Sequence, residues 1–186
     1  MEVTTDRLVL TPIGPEHTPE LVELHADPNV AYWNAGAWSE AQARRFAVDM
    51  QGRWSRDQVG KWIAHRRSDG ALVGRGGLSL SVVDERPRLE LGWALRDQMR
   101  GQGFATEIGR AGLRFGFDVL GSDEIVAYTE AHNHASRAVI RRLDMRFVKL
   151  IHAPGLVEGS DEVRDDAPFA LYDIERPTRQ PVRAGT

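Results

Sequence analysis

The chain has 186 residues, 24 Lys and Arg against 27 Asp and Glu, a net charge of −3 and no cysteine. That length suits one domain with a substantial core, and the absence of a basic cluster speaks against a nucleic-acid groove or a polybasic membrane surface. Without cysteine there is no disulfide framework, no thiolate metal site and no cysteine acyl-enzyme.

No apolar run approaches the ~20 residues that span a bilayer, and Met1-Glu2-Val3 lacks the basic and apolar regions of a signal peptide. No membrane partner and a cytoplasmic location are therefore expected. Arg7 to Pro12 reads as a first strand, and Thr18-Pro19-Glu20 as the capped start of a helix running to about His25. Asp27-Pro28-Asn29 is expected to break that helix. Tyr32, Trp33 and Trp38 then fall in a loop, where three large aromatics make a costly exposed patch unless an acceptor molecule or a second copy in a homodimer covers them. Ser39-Glu40-Ala41-Gln42 has the form of a capping box, so a second helix is expected from about Glu40 to Met50 or slightly beyond. Lys61 to Arg66 and Leu72 to Ser81 alternate as strands around a Ser68-Asp69-Gly70 turn, and Arg88 to Leu95 forms another strand.

After that strand comes Gln98-Met99-Arg100-Gly101-Gln102-Gly103, followed by Phe104-Ala105-Thr106-Glu107 and apolar residues at helical spacing, Ile108, Ala111, Gly112, Phe115 and Val119. Strand, glycine turn and amphipathic helix in that order suit a pyrophosphate. Glycines let the backbone approach an anion, and the first amides of a helix point at it with the positive end of the dipole. A Rossmann fingerprint fits poorly, because Thr106 holds the third glycine place and Arg96 to Arg100 intervene. A P-loop is excluded by the lack of Gly-Lys-Ser/Thr after the turn. Gly121 closes the helix, Glu124 to Thr129 is a strand, Ser136 to Leu143 a short helix, and Phe147 to Ile151 and Pro168 to Ile174 are the last strands. An acidic loop with Glu158, Asp161, Glu162, Asp165 and Asp166 separates those two. The expected architecture is α/β in a single domain over residues 1–175, with a disordered tail at 176–186.

Gln98-x-x-Gly101-x-Gly103 resembles the acetyl-CoA pyrophosphate motif of the GNAT N-acetyltransferase superfamily. Thr5-Asp6-Arg7-Leu8-Val9-Leu10, Glu90-Leu91-Gly92-Trp93-Ala94-Leu95, Asn133-His134-Ala135-Ser136 and Leu143-Asp144-Met145-Arg146-Phe147 resemble, in order, its RimJ/RimL-like branch. Asp144 stands where that branch has glycine, so another residue is expected to make the helix-ending turn. The resemblance implies a mixed sheet of six to seven strands flanked by helices, with the fourth and fifth strands splayed around the cofactor. It implies acetyl-CoA as co-substrate, Trp93, Ala94 and Leu95 beside its acyl and pantetheine end, and Arg100, Gly101, Gln102, Gly103, Phe104 and Ala105 around its pyrophosphate. Asn133 is a cofactor contact by the same transfer.

Acetyl transfer to an amine needs a proton acceptor, a stabilised oxyanion and a proton for the thiolate. The resemblance implies Glu90 as the base, and Leu89 and Leu91 beside it are expected to raise its pKa by desolvation. Pairing with Arg88 on a solvent face is the competing reading of Glu90. Ser136 matches the hydroxyl that protonates the thiolate, although Asn133 or Ser136 is equally an ordinary helix cap. The scattered histidines, including His132 and His134, lack the spacing of a metal site, so no metal is expected. The function so implied is acetyl transfer from acetyl-CoA to a primary amine by direct attack in a ternary complex. A protein N-terminal α-amine and a small amine (amino sugar, polyamine or amino acid) both stay open as acceptors. The competing class is a CoA-binding module without turnover.

Overall fold

The computed structural model describes residues 1–34, 36–160 and 162–177. Leu8 and Leu10 alternate into the core and make β2 (Leu8–Pro12), which lies antiparallel between β1 (Val3–Thr4) and β3 (Lys61–Arg66). β4 (Leu72–Val83) and β5 (Arg86–Leu95) continue the meander across a turn in which Asp84 and Glu85 are both left-handed, as a two-residue hairpin requires. After β6 (Glu124–Glu130), the long hairpin of β7 (Arg146–Leu156) and β8 (Val163–Glu175) completes an eight-stranded sheet, ordered β1-β2-β3-β4-β5-β6-β8-β7. The six to seven strands expected rise to eight because the two-residue β1 pairs at the edge.

Helices cover both faces. α1 (Thr18–Ala26) is capped at His17, not Thr18, whose hydroxyl donates back to the Pro15 carbonyl at 2.7 Å. Asp27 does not simply break the chain: its carboxylate accepts from the amides of Asn29 and Val30 and starts α2 (Pro28–Trp33). Tyr32 and Trp33 therefore stand on a helix, not in a loop. The Ser39 and Gln42 capping box opens α3 (Glu40–Asp57), which runs past Met50 because Trp54 continues the buried stripe of Ala43, Ala47 and Met50. α4 (Phe104–Arg114) ends in a π turn over Phe115–Val119, and Gly121 turns the chain at positive φ. α5 (His134–Arg142) starts two residues before the expected Ser136, with Asn133 as its cap. Asp144 itself takes the left-handed turn at φ 60°, a conformation that aspartate tolerates better than most side chains, so no other residue is needed there.

One core lies under α4, where Leu78, Leu91, Ile108, Phe115 and Ile125 meet. A second, from Ile13, Leu21, Leu24, Ala43, Ala47 and Ile63, lies under α1 and α3. β7 and β8 extend further than expected and absorb Asp165 and Asp166, so the acidic loop shrinks, with Asp161 outside the described residues. The expected disorder at 176–186 falls largely outside them too, but Arg176 is fixed, its amide donating to the Asp123 carbonyl at 2.9 Å and its guanidinium to that of Phe117.

The site is set by one departure from regular pairing. β5 and β6 run parallel yet share only the Glu90–Val126 register pair, beyond which they diverge. They are the strands expected fourth and fifth, renumbered by the extra β1. Beyond Glu90, β5 keeps β4 on one side and β6 keeps β8 on the other, so their facing edges are left without a neighbour.

Candidate active site

A cleft of about 1100 Å³ occupies that gap. Its walls come from Leu91 to Leu95 of β5, Ala127 to Glu130 of β6, the start of α4 and the inner face of α5. Amide and carbonyl groups along parted strands need partners, and a bound molecule with amides of its own can supply them.

At one end, Gly101 and Gly103 hold φ of 72° and 84°, the left-handed conformation that glycine adopts without strain. Among the described residues the amides from Gly101 to Thr106 have no hydrogen-bond partner, whereas the flanking amides of Arg100 and Glu107 bond to the carbonyls of Asp97 and Gly103. Six consecutive unpaired amides at the N-terminus of an eleven-residue helix form an anion cradle. Arg7 holds the turn open. Its Nη1 donates to the Gln102 carbonyl at 2.9 Å, and its Nε and amide donate to Glu107 at 2.7 and 2.9 Å. Burial disfavours the ionised Glu107 carboxylate, but hydrogen bonds from Thr5 and Arg7 outweigh burial and hold its pKa below the usual value. The turn's geometry therefore suits a diphosphate. Arg100, Gly101, Gly103, Phe104 and Ala105 line the cleft. Gln102 does not line the cleft, and its side-chain Nε2 donates to the Gln98 carbonyl at 2.8 Å. Arg100 is engaged by Asn29 and Asp97, both at 3.0 Å.

Trp93, Ala94 and Leu95 line the middle of the cleft, as do Asn133 and Ser136. Asn133 is both cap and wall: its Oδ1 accepts from the Ser136 amide at 3.0 Å, and its Nδ2 has no partner among the described residues. The Ser136 hydroxyl is likewise unpaired among them.

The far end is built from side chains. Glu90 lies on the face of β5 opposite Leu89 and Leu91, which are buried in the core beneath α4, so the expected apolar surroundings are absent. Arg88 is not its partner either; that guanidinium approaches Glu124 at 3.7 Å. Glu90 accepts instead from Lys61 Nζ at 2.8 Å and from the Ser79 hydroxyl at 3.1 Å. Lys61 also donates to the Gly77 carbonyl at 2.9 Å. Burial lowers the Lys61 ammonium pKa, with Glu90 opposing that shift.

Glu130 faces the same space from β6, with the Thr129 hydroxyl at 3.3 Å as its side-chain partner and no cation within 4.0 Å among the described residues. Burial raises its pKa, so it can hold or take up a proton nearer neutrality than an exposed glutamate. Tyr128 beside it is raised by burial and by the charges of Glu90 and Glu130. Of the three aromatics expected to form an acceptor wall, Trp33 lines the cleft. Tyr32 packs edge-on against Trp33 at 4.8 Å, outside the lining, and Trp38 is stacked on His25 at 3.3 Å in the second core. Among the described residues no three His, Asp or Glu side chains come together as a metal site.

Lys61, Arg75 and Glu130 belong to this end and were not singled out in the sequence. The sequence carries a signal for two of them: Lys61 stands directly before the apolar run Trp62-Ile63-Ala64, and Arg75 is a lone charge within Gly74-Arg75-Gly76-Gly77.

Residues 7–146 match the family described as the acetyltransferase (GNAT) domain. An FsC-acetyl coenzyme A-N(2)-transacetylase from Aspergillus fumigatus is 30% identical over 86% of this chain and 73% of its own length. A ribosomal-protein-S5-alanine acetyltransferase from Vibrio fischeri superposes with a TM-score of 0.75 at 10% identity, covering 97% of this chain and all of that one. RimL, a ribosomal L7/L12 α-N-protein acetyltransferase solved with coenzyme A, gives 0.72 at 16% identity over 95% of this chain and 98% of that one.

Proposed function

Given that this chain belongs to the GNAT acetyltransferase family, we propose that it moves an acetyl group from acetyl-CoA to a primary amine by direct attack within a ternary complex. The observation that carries this reading is the run of six amides from Gly101 to Thr106, unpartnered among the described residues, at the mouth of a cleft whose other end holds two carboxylates. Acetyl-CoA supplies the activated thioester; the chain's own residues bind, orient and move protons. In this reading the amides of Gly101, Gln102, Gly103, Phe104 and Ala105 and the Arg100 cation hold the diphosphate. Trp93, Ala94, Leu95 and Asn133 flank the arm. Glu90 takes the amine proton, directly or through water, and Ser136 returns a proton to the departing thiolate. With no cysteine in the chain, direct attack needs no thiol acyl-enzyme.

A second assignment of the base is favoured by one observation. Lys61 and Ser79 occupy Glu90, whereas Glu130 is desolvated and free of any cation among the described residues. The acceptor in this reading is a primary amine, either the α-amine of a protein N-terminus or the amine of a small molecule such as an amino sugar, polyamine or amino acid. The ribosomal-protein acetyltransferases among the structural neighbours support the first, and the name of the Aspergillus relative supports the second.

A thermal-shift comparison of acetyl-CoA, CoA and NAD tests the reading, followed by thiol release over a panel of amines. Stabilisation by both CoA compounds and not by NAD, with amine-dependent thiol release, is expected. Stabilisation without release would make the chain a CoA-binding module. Glu90→Gln and Glu130→Gln then identify the base: the variant that loses about 10²-fold or more in kcat and its alkaline rise has lost the proton acceptor.

A further inference from the structure

Arg75 is a half-buried cation with no ion-pair partner among the described residues. It stands on β4 opposite Ala94, and its guanidinium is gripped from three helical segments. Nε donates to His25 Nε2 of α1 at 3.1 Å, and Nη2 donates to Asn34 Oδ1 at the end of α2 at 3.1 Å. Its carbon lies 4.9 Å from the ring of Phe46 in α3 and 5.5 Å from that of Trp38. All four partners are neutral. His25 is fully buried and accepts at Nε2, and burial followed by the Arg75 charge holds its pKa down to about 3. Glu90, whose charge acts on Arg75 without touching it, is already bonded to Lys61, and no carboxylate lies within 4.0 Å of Arg75 among the described residues. The remaining N–H groups of the fork, both of those on Nη1 included, have no partner among the described residues, and Arg75 lines the cleft.

A guanidinium taken out of water costs free energy unless an anion meets it, and its planar fork matches a carboxylate bidentately. Among the described residues no protein carboxylate meets this cation, and it opens on the cavity beside the reacting end, where a bound anion can reach its free N–H groups. We infer that the amine acceptor carries a carboxylate and that Arg75 binds it, so the substrate class is an amino acid or another amino-carboxylate. This deepens the acetyl-transfer reading and rests on it. The register places Arg75 four residues along β4 from Ser79, which faces Glu90, a Cα separation of about 13 Å in strand rise. Part of that span is taken up by the arginine and glutamate arms, and the rest fixes the distance between amine and carboxylate.

The experiment uses leucine, phenylalanine and linear ω-amino acids of increasing chain length, each against its primary amide, with rates compared at equal concentrations of unprotonated amine. For the best-fitting spacer the wild-type KM is expected to be lower for the carboxylate than for the amide by about tenfold or more, as for a lost charged hydrogen bond. Arg75→Gln is expected to raise the carboxylate's KM by about tenfold relative to that of the amide, so that the carboxylate-over-amide preference disappears. Equal use of both acceptor types by the wild type would overturn the inference, as would an equal loss on both in Arg75→Gln. Should Arg75→Gln fail to fold, Arg75→Lys keeps the charge without the fork and is expected to leave a reduced preference; an undiminished preference would count against bidentate binding. If no amine releases thiol, acetyl transfer to amines is what fails. Calorimetry of the N-acetylated amino acids against their N-acetylated amides then still decides the carboxylate site, equal binding or none overturning it.

Discussion

The two ends of the cleft are encoded in opposite ways. The diphosphate end is made of backbone: six amides, two left-handed glycines and a helix start, all within Gly101 to Thr106. The acceptor end is made of side chains from Lys61, Arg75, Glu90 and Glu130, on four different strands. A backbone cradle tolerates exchange of most of its side chains and fails when φ is restricted. A side-chain constellation tolerates local backbone adjustment and fails when one charge is left without its partner.

Lys61→Met gives the largest expected effect, because it strands the Glu90 carboxylate in a nearly dry site; a stability loss of roughly 3–5 kcal/mol is expected from denaturant midpoints. Adding Glu90→Gln should recover most of that loss. If the single and double variants were equally stable, the pair would not be the organising feature of that end. Next comes Gly103→Val, which forces a β-branched residue toward φ of 84° and sets its Cβ 3.4 Å from Arg7 Nη2. Coenzyme A affinity by calorimetry should fall about 100-fold while the acceptor-end pH behaviour stays unchanged. The smallest effect near neutral pH is one of acidity. With its folded pKa near 3, below the ordinary 6.5, neutral His25 contributes stability that is present above pH 6.5 and is lost as pH falls toward 3. Melting temperature should decline across that window, and His25→Gln should flatten the part of the decline that belongs to this residue.

The same contrast explains what the sequence made legible. The cradle, the capping box at Ser39 and the Asn133 cap lie within a few residues, so local pattern sufficed. Expectation failed where a distant partner decided the outcome. Leu89 and Leu91 do not set the surroundings of Glu90, because in a strand the adjacent residues point to the opposite face; those surroundings come from residues 61 and 79, brought beside it by register. Trp38 was read as exposed because nothing local shows that His25, thirteen positions earlier, lies flat against it. Helix α2 was missed because Asp27-Pro28 has the same form as a break and as a cap followed by a first-turn proline. Asp144 shows that an aspartate can fill a place expected to need glycine, given a side chain small enough for the left-handed bend.

Arg7 is a tether. By bonding to both Gln102 and Glu107 it makes the opening residues of the chain a strap across the cradle. Trimming the protein to residue 8 would spare β2 and every later strand, yet leave the loop before α4 unsupported. A shortened or tightly fused version could thus be well folded by circular dichroism and still be a poor binder of nucleotide thiols, a point of practical weight for anyone preparing the protein.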